Sequence, residues 1–162
     1  MGLLTVGVVG TSNKEDERRF PIHPEHLSRI PEQIRRHLIF EQGYGAAFNI
    51  ADSEIAELTG GVVSRHELLA DIGRVIMVKP VLADLQELRE GGTLWGYLHC
   101  VQQWDLTQAA IDRKLTLIAF EDMFVWSPKG QIGRHTFYKN NEMAGYCAAL
   151  HAFQIRGIDG HY

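Results

Sequence analysis

Five short apolar runs, separated by stretches of helical pattern, constrain this 162-residue chain more than any other feature. They are Thr5–Val9, Leu38–Phe40, Val75–Val78, "TLWGYLH" from Thr93 and "LTLIAFE" from Leu115. Each is too short for an ordinary helix and apolar at almost every position, which suits a strand covered on both faces. Buried strands joined by helices are the repeating unit of a parallel sheet. The expected fold is therefore α/β and doubly wound, with a mostly parallel sheet of Rossmann-like or flavodoxin-like type.

The intervening segments carry helix signals. Pro31 opens a helix ahead of Leu38, and Asp52 is placed to cap one that runs to about Glu57. Ser64 with Glu67 three residues on reads as a capping box, and Asp105 with Gln108 reads as another. "DLQELRE" is a short helix closed by Gly91 and Gly92. After Glu121 the pattern changes to a hairpin, "MFVWSPKGQIGRHTF", with Pro128 and Gly130 in its turn. A long helix follows, with Met143, Tyr146, Cys147, Leu150 and Phe153 at helical spacing behind an Asn cap. Residues 1–139 are expected to form one domain and residues 140–162 a connecting helix.

Sixteen Lys and Arg against twenty Asp and Glu give a net charge of −4 with no basic block, so neither nucleic acid nor an anionic membrane is an expected partner. No run approaches the roughly 18 apolar residues that span a bilayer, and the start lacks a signal-peptide pattern. A cytoplasmic location is expected. Cys100 and Cys147 fit neither a CxxC site nor a disulfide scaffold, and both are expected as reduced thiols in apolar surroundings.

In an open α/β sheet, ligands bind beyond the carboxyl ends of the strands. Three strands deliver ionisable groups to that edge: Arg18 and Arg19 follow the first, Lys79 ends the third and His99 ends the fourth. A guanidinium can grip two carboxylate oxygens, an ammonium supplies a point charge, and an imidazole exchanges protons near neutral pH. Together they suit a small carboxylate ligand. Each also has a plainer reading, Lys79 as a solvated rim residue and His99 as hydrogen-bonded structure. His23, His26 and His37 lack zinc spacing, and no GxGxxG, GxxxxGK[ST] or GxSxG pattern is present.

The order "ERRFPIHPEHL", "FEQGYGAAFNIADSEI", "VIMVKP", "LREGGTLWGYLH", "LTLIAFEDM" resembles the N-terminal domain of the alanine dehydrogenase and pyridine nucleotide transhydrogenase superfamily over roughly the first 123 residues. The double arginine and "FYKNNEMAGYCAALHAFQIRGID" resemble the opine-type members, saccharopine dehydrogenase and N5-(carboxyethyl)ornithine synthase. The resemblance implies the substrate-binding portion of an NAD(P)-dependent amino-acid or opine dehydrogenase. It implies that Arg19 and Lys79 hold substrate carboxylates, with Arg18 a further contributor, that His99 is the general acid/base, and that Lys79 joins the proton chemistry. The NAD(P)H it implies would need a Rossmann domain that this chain lacks, and the expected partner is either a second copy, forming a homo-oligomer, or a separate chain that carries the Rossmann domain. A non-catalytic carboxylate-binding module and a cofactor-free enzyme acting on imines or 2-oxo acids are the alternatives.

Overall fold

The computed structural model describes residues 4–158. The described chain divides into two compact units that meet in sequence at Phe120 and Glu121. In the first unit, β1 (Val6–Val8), β2 (Leu38–Glu41), β3 (Gly61–Val63), β4 (Arg74–Ile76), β5 (Thr93–Gly96) and β6 (Thr116–Ala119) form one sheet in the order β3-β2-β1-β4-β5-β6. Every neighbouring pair is parallel. Val8 and Val9 are adjacent, so their side chains leave opposite faces of β1. They enter different apolar clusters, Val8 with Leu27, Phe40 and Ile55, and Val9 with Leu68, Met77, Leu85, Leu98 and Leu106. The sheet is thus doubly wound, as the uninterrupted apolar runs require.

The sheet has one strand more than the five expected. β3 is three residues long, all half-buried, and lies at the sheet's edge directly before the Ser64 capping box, so a helix signal overlay its short pattern. That box is present: Ser64 Oγ accepts from Glu67 N (3.2 Å) while Glu67 Oε2 accepts from Ser64 N (3.0 Å). The turn that follows, Glu67–Ile72, winds with π-type spacing and closes at Gly73 with a left-handed φ of 62°. Only glycine adopts this freely, and a Cβ there would also fall 2.0 Å from Arg89 Nε.

Two expected caps are displaced. α2 (Asp52–Leu58) takes Ala51 as its N-cap, and Asp52 instead accepts the Gly43 N–H at 3.0 Å. α4 (Trp104–Asp112) starts from Gln103, while Gln108 bonds Asp112 within the helix at 2.8 Å. α1 (Glu32–Arg35) does follow Pro31, and α3 (Leu82–Glu87) is the short helix expected before Gly91.

In the second unit, β7 (Phe124–Trp126) and β8 (Ile132–His135) form the expected antiparallel hairpin, with Gly130 at φ 73° in its turn. α5 (Tyr138–Ile155) has 18 residues, about five turns, and is the expected long helix. Its N-cap is Phe137, and Asn140 and Asn141 lie within it. No residue of α5 is buried, and Met143, Tyr146 and Leu150 are each more than 60% exposed. Cys147 is likewise exposed, against expectation, while Cys100 is half-buried.

Candidate functional site

Gly96 explains how the charged residues reach one place. Beyond the formal strands, Met77 N bonds Trp95 O and Tyr97 N bonds Val78 O, both at 2.9 Å, so β4 and β5 run side by side to their ends. A Cβ on Gly96 would stand 2.4 Å from Met77 O and 3.0 Å from Pro80 Cδ. Glycine alone admits this approach. Lys79 and His99 therefore leave adjacent strands at the carboxyl edge, and buried Pro80 stiffens the exit of the first.

Lys79 is half-buried, and its carbonyl accepts from Ser12 Oγ at 2.7 Å, which ties the loop after β1 to the end of β4. His99 adopts a left-handed φ of 49°, and its carbonyl receives the N–H groups of Gln102 and Gln103. Its ring stacks near Tyr97, centroids 6.2 Å apart and planes 17° apart. The Arg19 guanidinium lies 5.7 Å from the centroid of the same Tyr97 ring, within cation–π range. Tyr97 thus joins the loop arginine to the strand-end histidine. Arg18 is exposed.

Arg19 already holds a carboxylate. Glu17 accepts from its Nε (2.8 Å), its Nη2 (2.6 Å) and its backbone N–H (3.0 Å). The Arg19 hydrogen bond lowers the Glu17 pKa from the usual carboxylate value, and the Glu17 hydrogen bond raises that of Arg19 in turn. A substrate carboxylate at Arg19 must share or displace this partner.

Behind the loop lies a polar cluster that sequence reasoning missed. Glu41, buried at the end of β2, accepts Gly10 N (2.7 Å) and Thr11 N (2.9 Å) on Oε2, and Thr11 Oγ1 (2.6 Å) on Oε1. Asp84, whose side chain is wholly inaccessible, accepts Asn13 N (2.9 Å), Asn13 Nδ2 (2.8 Å), Ser12 Oγ (3.2 Å) and Val81 N (2.8 Å). Arg65 bridges the two halves of the sheet, donating to Asp84 (2.7 Å), Glu87 (2.8 Å) and Thr11 Oγ1 (2.9 Å). Burial opposes the charge on Arg65, but the Glu87 and Asp84 carboxylates outweigh it and raise its pKa. The Arg65 hydrogen bond lowers that of Glu87. The only sequence signal was a glutamate closing an apolar strand in "LIFE".

Two open clefts flank this edge. One, of about 510 Å³, lies between the starts of α3 and α4 and is lined by Val81, Leu82, Gln102, Gln103 and Trp104. The other, of about 460 Å³, lies beyond β2 and β3 among Gln42, Asp52, Val63, Ser64 and Glu67. Neither lining includes Lys79, His99 or Arg19.

A nicotinamide dinucleotide would seat its pyrophosphate on the loop amides after β1, where the strand order reverses. The amides of Gly10, Thr11 and Asn13 are all bonded to internal carboxylates. The residues present do not fit that group. No helix among the described residues is long and apolar enough to cross a membrane, and no cluster of three or more His, Cys, Asp or Glu among them could hold a metal ion.

Fold and edge together define a Rossmann-like α/β domain that gathers ionisable side chains at the carboxyl ends of its strands. Residues 8–131 match the family "Alanine dehydrogenase/PNT, N-terminal domain", and the chain belongs to that family. It is 26% identical over 167 aligned residues to N(5)-(carboxyethyl)ornithine synthase of Lactococcus lactis subsp. lactis, a match covering 96% of this chain and 51% of that protein. Alanine dehydrogenase 2 of Staphylococcus aureus (strain USA300) is 31% identical over 109 residues, 67% of this chain and 29% of the relative. The chain thus spans about half the length of the first relative and less of the second. A solved L-alanine dehydrogenase superposes with a TM-score of 0.62 at 25% identity, covering 79% of this chain and 35% of that one. A transhydrogenase from Sinorhizobium meliloti gives 0.59 at 17% identity over 74% of this chain and 35% of that one, a likeness of fold. The relatives' names are those of an opine-type synthase and of alanine dehydrogenases.

Proposed function

We propose that this chain is the substrate-binding portion of an NAD(P)-dependent amino-acid or opine dehydrogenase, with the nicotinamide held by a Rossmann domain outside these residues. In this reading α5 leads toward that domain, or toward the subunit that carries it. What supports it most is the meeting of Lys79, His99, Tyr97 and the Arg19 loop at one sheet edge, in a family whose relatives are named for alanine and carboxyethylornithine chemistry.

The ligand is a small 2-oxo acid such as pyruvate, together with an amino acid. Lys79 and Arg19 hold carboxylates, with Arg18 at the rim. Ser12 ties the start of the loop to the Lys79 carbonyl, which anchors the loop backbone at the end of β4 before substrate arrives. His99 moves protons to and from the carbinolamine formed between amine and oxo acid. Loss of water from that adduct needs a proton on the departing oxygen, within the capacity of an imidazole. Lys79 joins this transfer from the adjacent strand end.

The occupied crevice after β1 favours a second reading, a carboxylate-binding module or an imine- or oxo-acid-processing enzyme that works without cofactor. Calorimetric titration with pyruvate and 2-oxoglutarate tests the shared core of both readings. Lys79→Ala should weaken oxo-acid binding roughly tenfold or more, since a charge-assisted contact is lost. His99→Asn tolerates the left-handed backbone and should bind normally but fail in turnover when the Rossmann partner and NAD(P)H are supplied. Oxo-acid binding indifferent to Lys79→Ala would overturn the assignment. Turnover by the chain alone, without nicotinamide, would select the second reading.

A further inference from the structure

We infer that the loop after β1 is an anion-binding nest of the kind that holds nucleotide phosphates in this topology, and that its resident anion is the chain's own Glu41 carboxylate. The strand order β3-β2-β1-β4-β5-β6 reverses direction between β1 and β4. In sheets of this order the first turn after β1 presents successive backbone N–H groups to a phosphate. Here Gly10 N and Thr11 N converge on one oxygen, Glu41 Oε2, at 2.7 and 2.9 Å. Two consecutive amides aimed at one oxygen is the geometry by which a nest grips an oxyanion. The Thr11 hydroxyl completes the grip on Oε1 at 2.6 Å.

The nest is built rather than incidental. Glu41 is 5% exposed, and so is shielded from competing water. Gly10 permits the close approach of the loop, since a Cβ there would stand 2.8 Å from Tyr44 Cδ2. Tyr44 is in turn pinned by its hydroxyl, which donates to Ile22 O at 2.7 Å. Two residues further on, Asn13 N is taken by Asp84, and Arg65 donates to both Asp84 and Thr11 Oγ1. Two carboxylates therefore occupy the Gly10, Thr11 and Asn13 amides that a pyrophosphate would need.

Two consequences follow. The crevice rejects nucleotide phosphates, because entry would require a buried carboxylate to leave its amides and lie beside a second anion. Removing the carboxylate converts it into a site for inorganic phosphate. Both are independent of oxo-acid binding, so the proposal stands or falls separately from the function proposed above.

The test follows the Gly10 and Thr11 amide resonances by NMR in the full chain. In wild type, neither inorganic phosphate nor NADH should move them. In Glu41→Ala, phosphate should shift both saturably and raise the melting temperature above that in chloride of equal ionic strength. Saturable shifts of these amides in wild type, or a folded Glu41→Ala indifferent to phosphate, would overturn the proposal. If Glu41→Ala folds only in phosphate, that rescue supports it. If the variant folds in neither salt, Glu41→Gln decides: without the charge, both amides should exchange with solvent roughly tenfold faster, and unchanged exchange overturns the nest.

Discussion

Arg65→Met should destabilise the sheet unit by about 2–3 kcal/mol, most of it through a carboxylate that the arginine no longer reaches. Arg65 donates to Asp84 at 2.7 Å and to Glu87 at 2.8 Å. Glu87 is 41% exposed and loses little when its partner goes, because water replaces the guanidinium. Asp84 has no exposed side-chain surface. Breaking a buried pair from one side costs roughly 3–5 kcal/mol. The donors left to Asp84, from Ser12, Asn13 and Val81, reduce that figure to the lower range. Methionine keeps the aliphatic stem and has a comparable helix propensity, so neither packing nor local conformation adds much. At roughly 4 °C per kcal/mol for a domain of this size, the melting temperature should fall by about 8–12 °C.

Urea titration followed by circular dichroism measures the loss, with the midpoint falling and the slope unchanged. Asp84→Asn in the same background removes the stranded charge while keeping an oxygen acceptor. The double variant should therefore be more stable than the sum of the two single losses allows, by about 1 kcal/mol or more. An Arg65→Met variant within about 0.5 kcal/mol of wild type, or strictly additive losses, would refute the reasoning.

Gly96→Ala should destabilise by more than about 2 kcal/mol, because its methyl meets the Met77 carbonyl where β4 and β5 run closest; calorimetric melting checks it. Glu17→Gln should matter only above acid pH. The folded-state pKa of Glu17 is lowered by Arg19, so its contribution is present above the ordinary carboxylate value, near 4.3 in the unfolded chain, and fades as pH falls through the lower folded value. With Arg19 45% exposed, the difference at neutral pH should stay below about 1 kcal/mol, and melts of both proteins from pH 7 to pH 3 should converge at the acid end.

Most of the sheet was legible because the inner strands advertise their own burial. Val75, Leu94 and Phe40 lie in apolar runs and are buried in the structure, while Ile76, between two core residues, is only half-buried. β3 escaped because three residues beside a capping box carry too little pattern. The placement of Lys79 and His99 at one edge could be argued from strand ends alone. Glu17 could not, since a glutamate two residues before an arginine in a charged loop reads as solvated surface. Tyr97 and Arg65 were equally invisible as links. One looked like strand filler and the other like a helix charge.

By itself the sequence determined the class of fold. A strand buried on both faces must be apolar throughout, and a parallel neighbour must be reached through a crossover, so the alternation is written locally. Tertiary structure alone decided the strand order and the ownership of the charges. Glu41 meets Gly10 from 31 residues away, Arg65 meets Asp84 across 19, and Asp84 meets Asn13 across 71. Such pairings depend on which strand ends become neighbours, and a charged residue carries no local mark of the partner that will bury it.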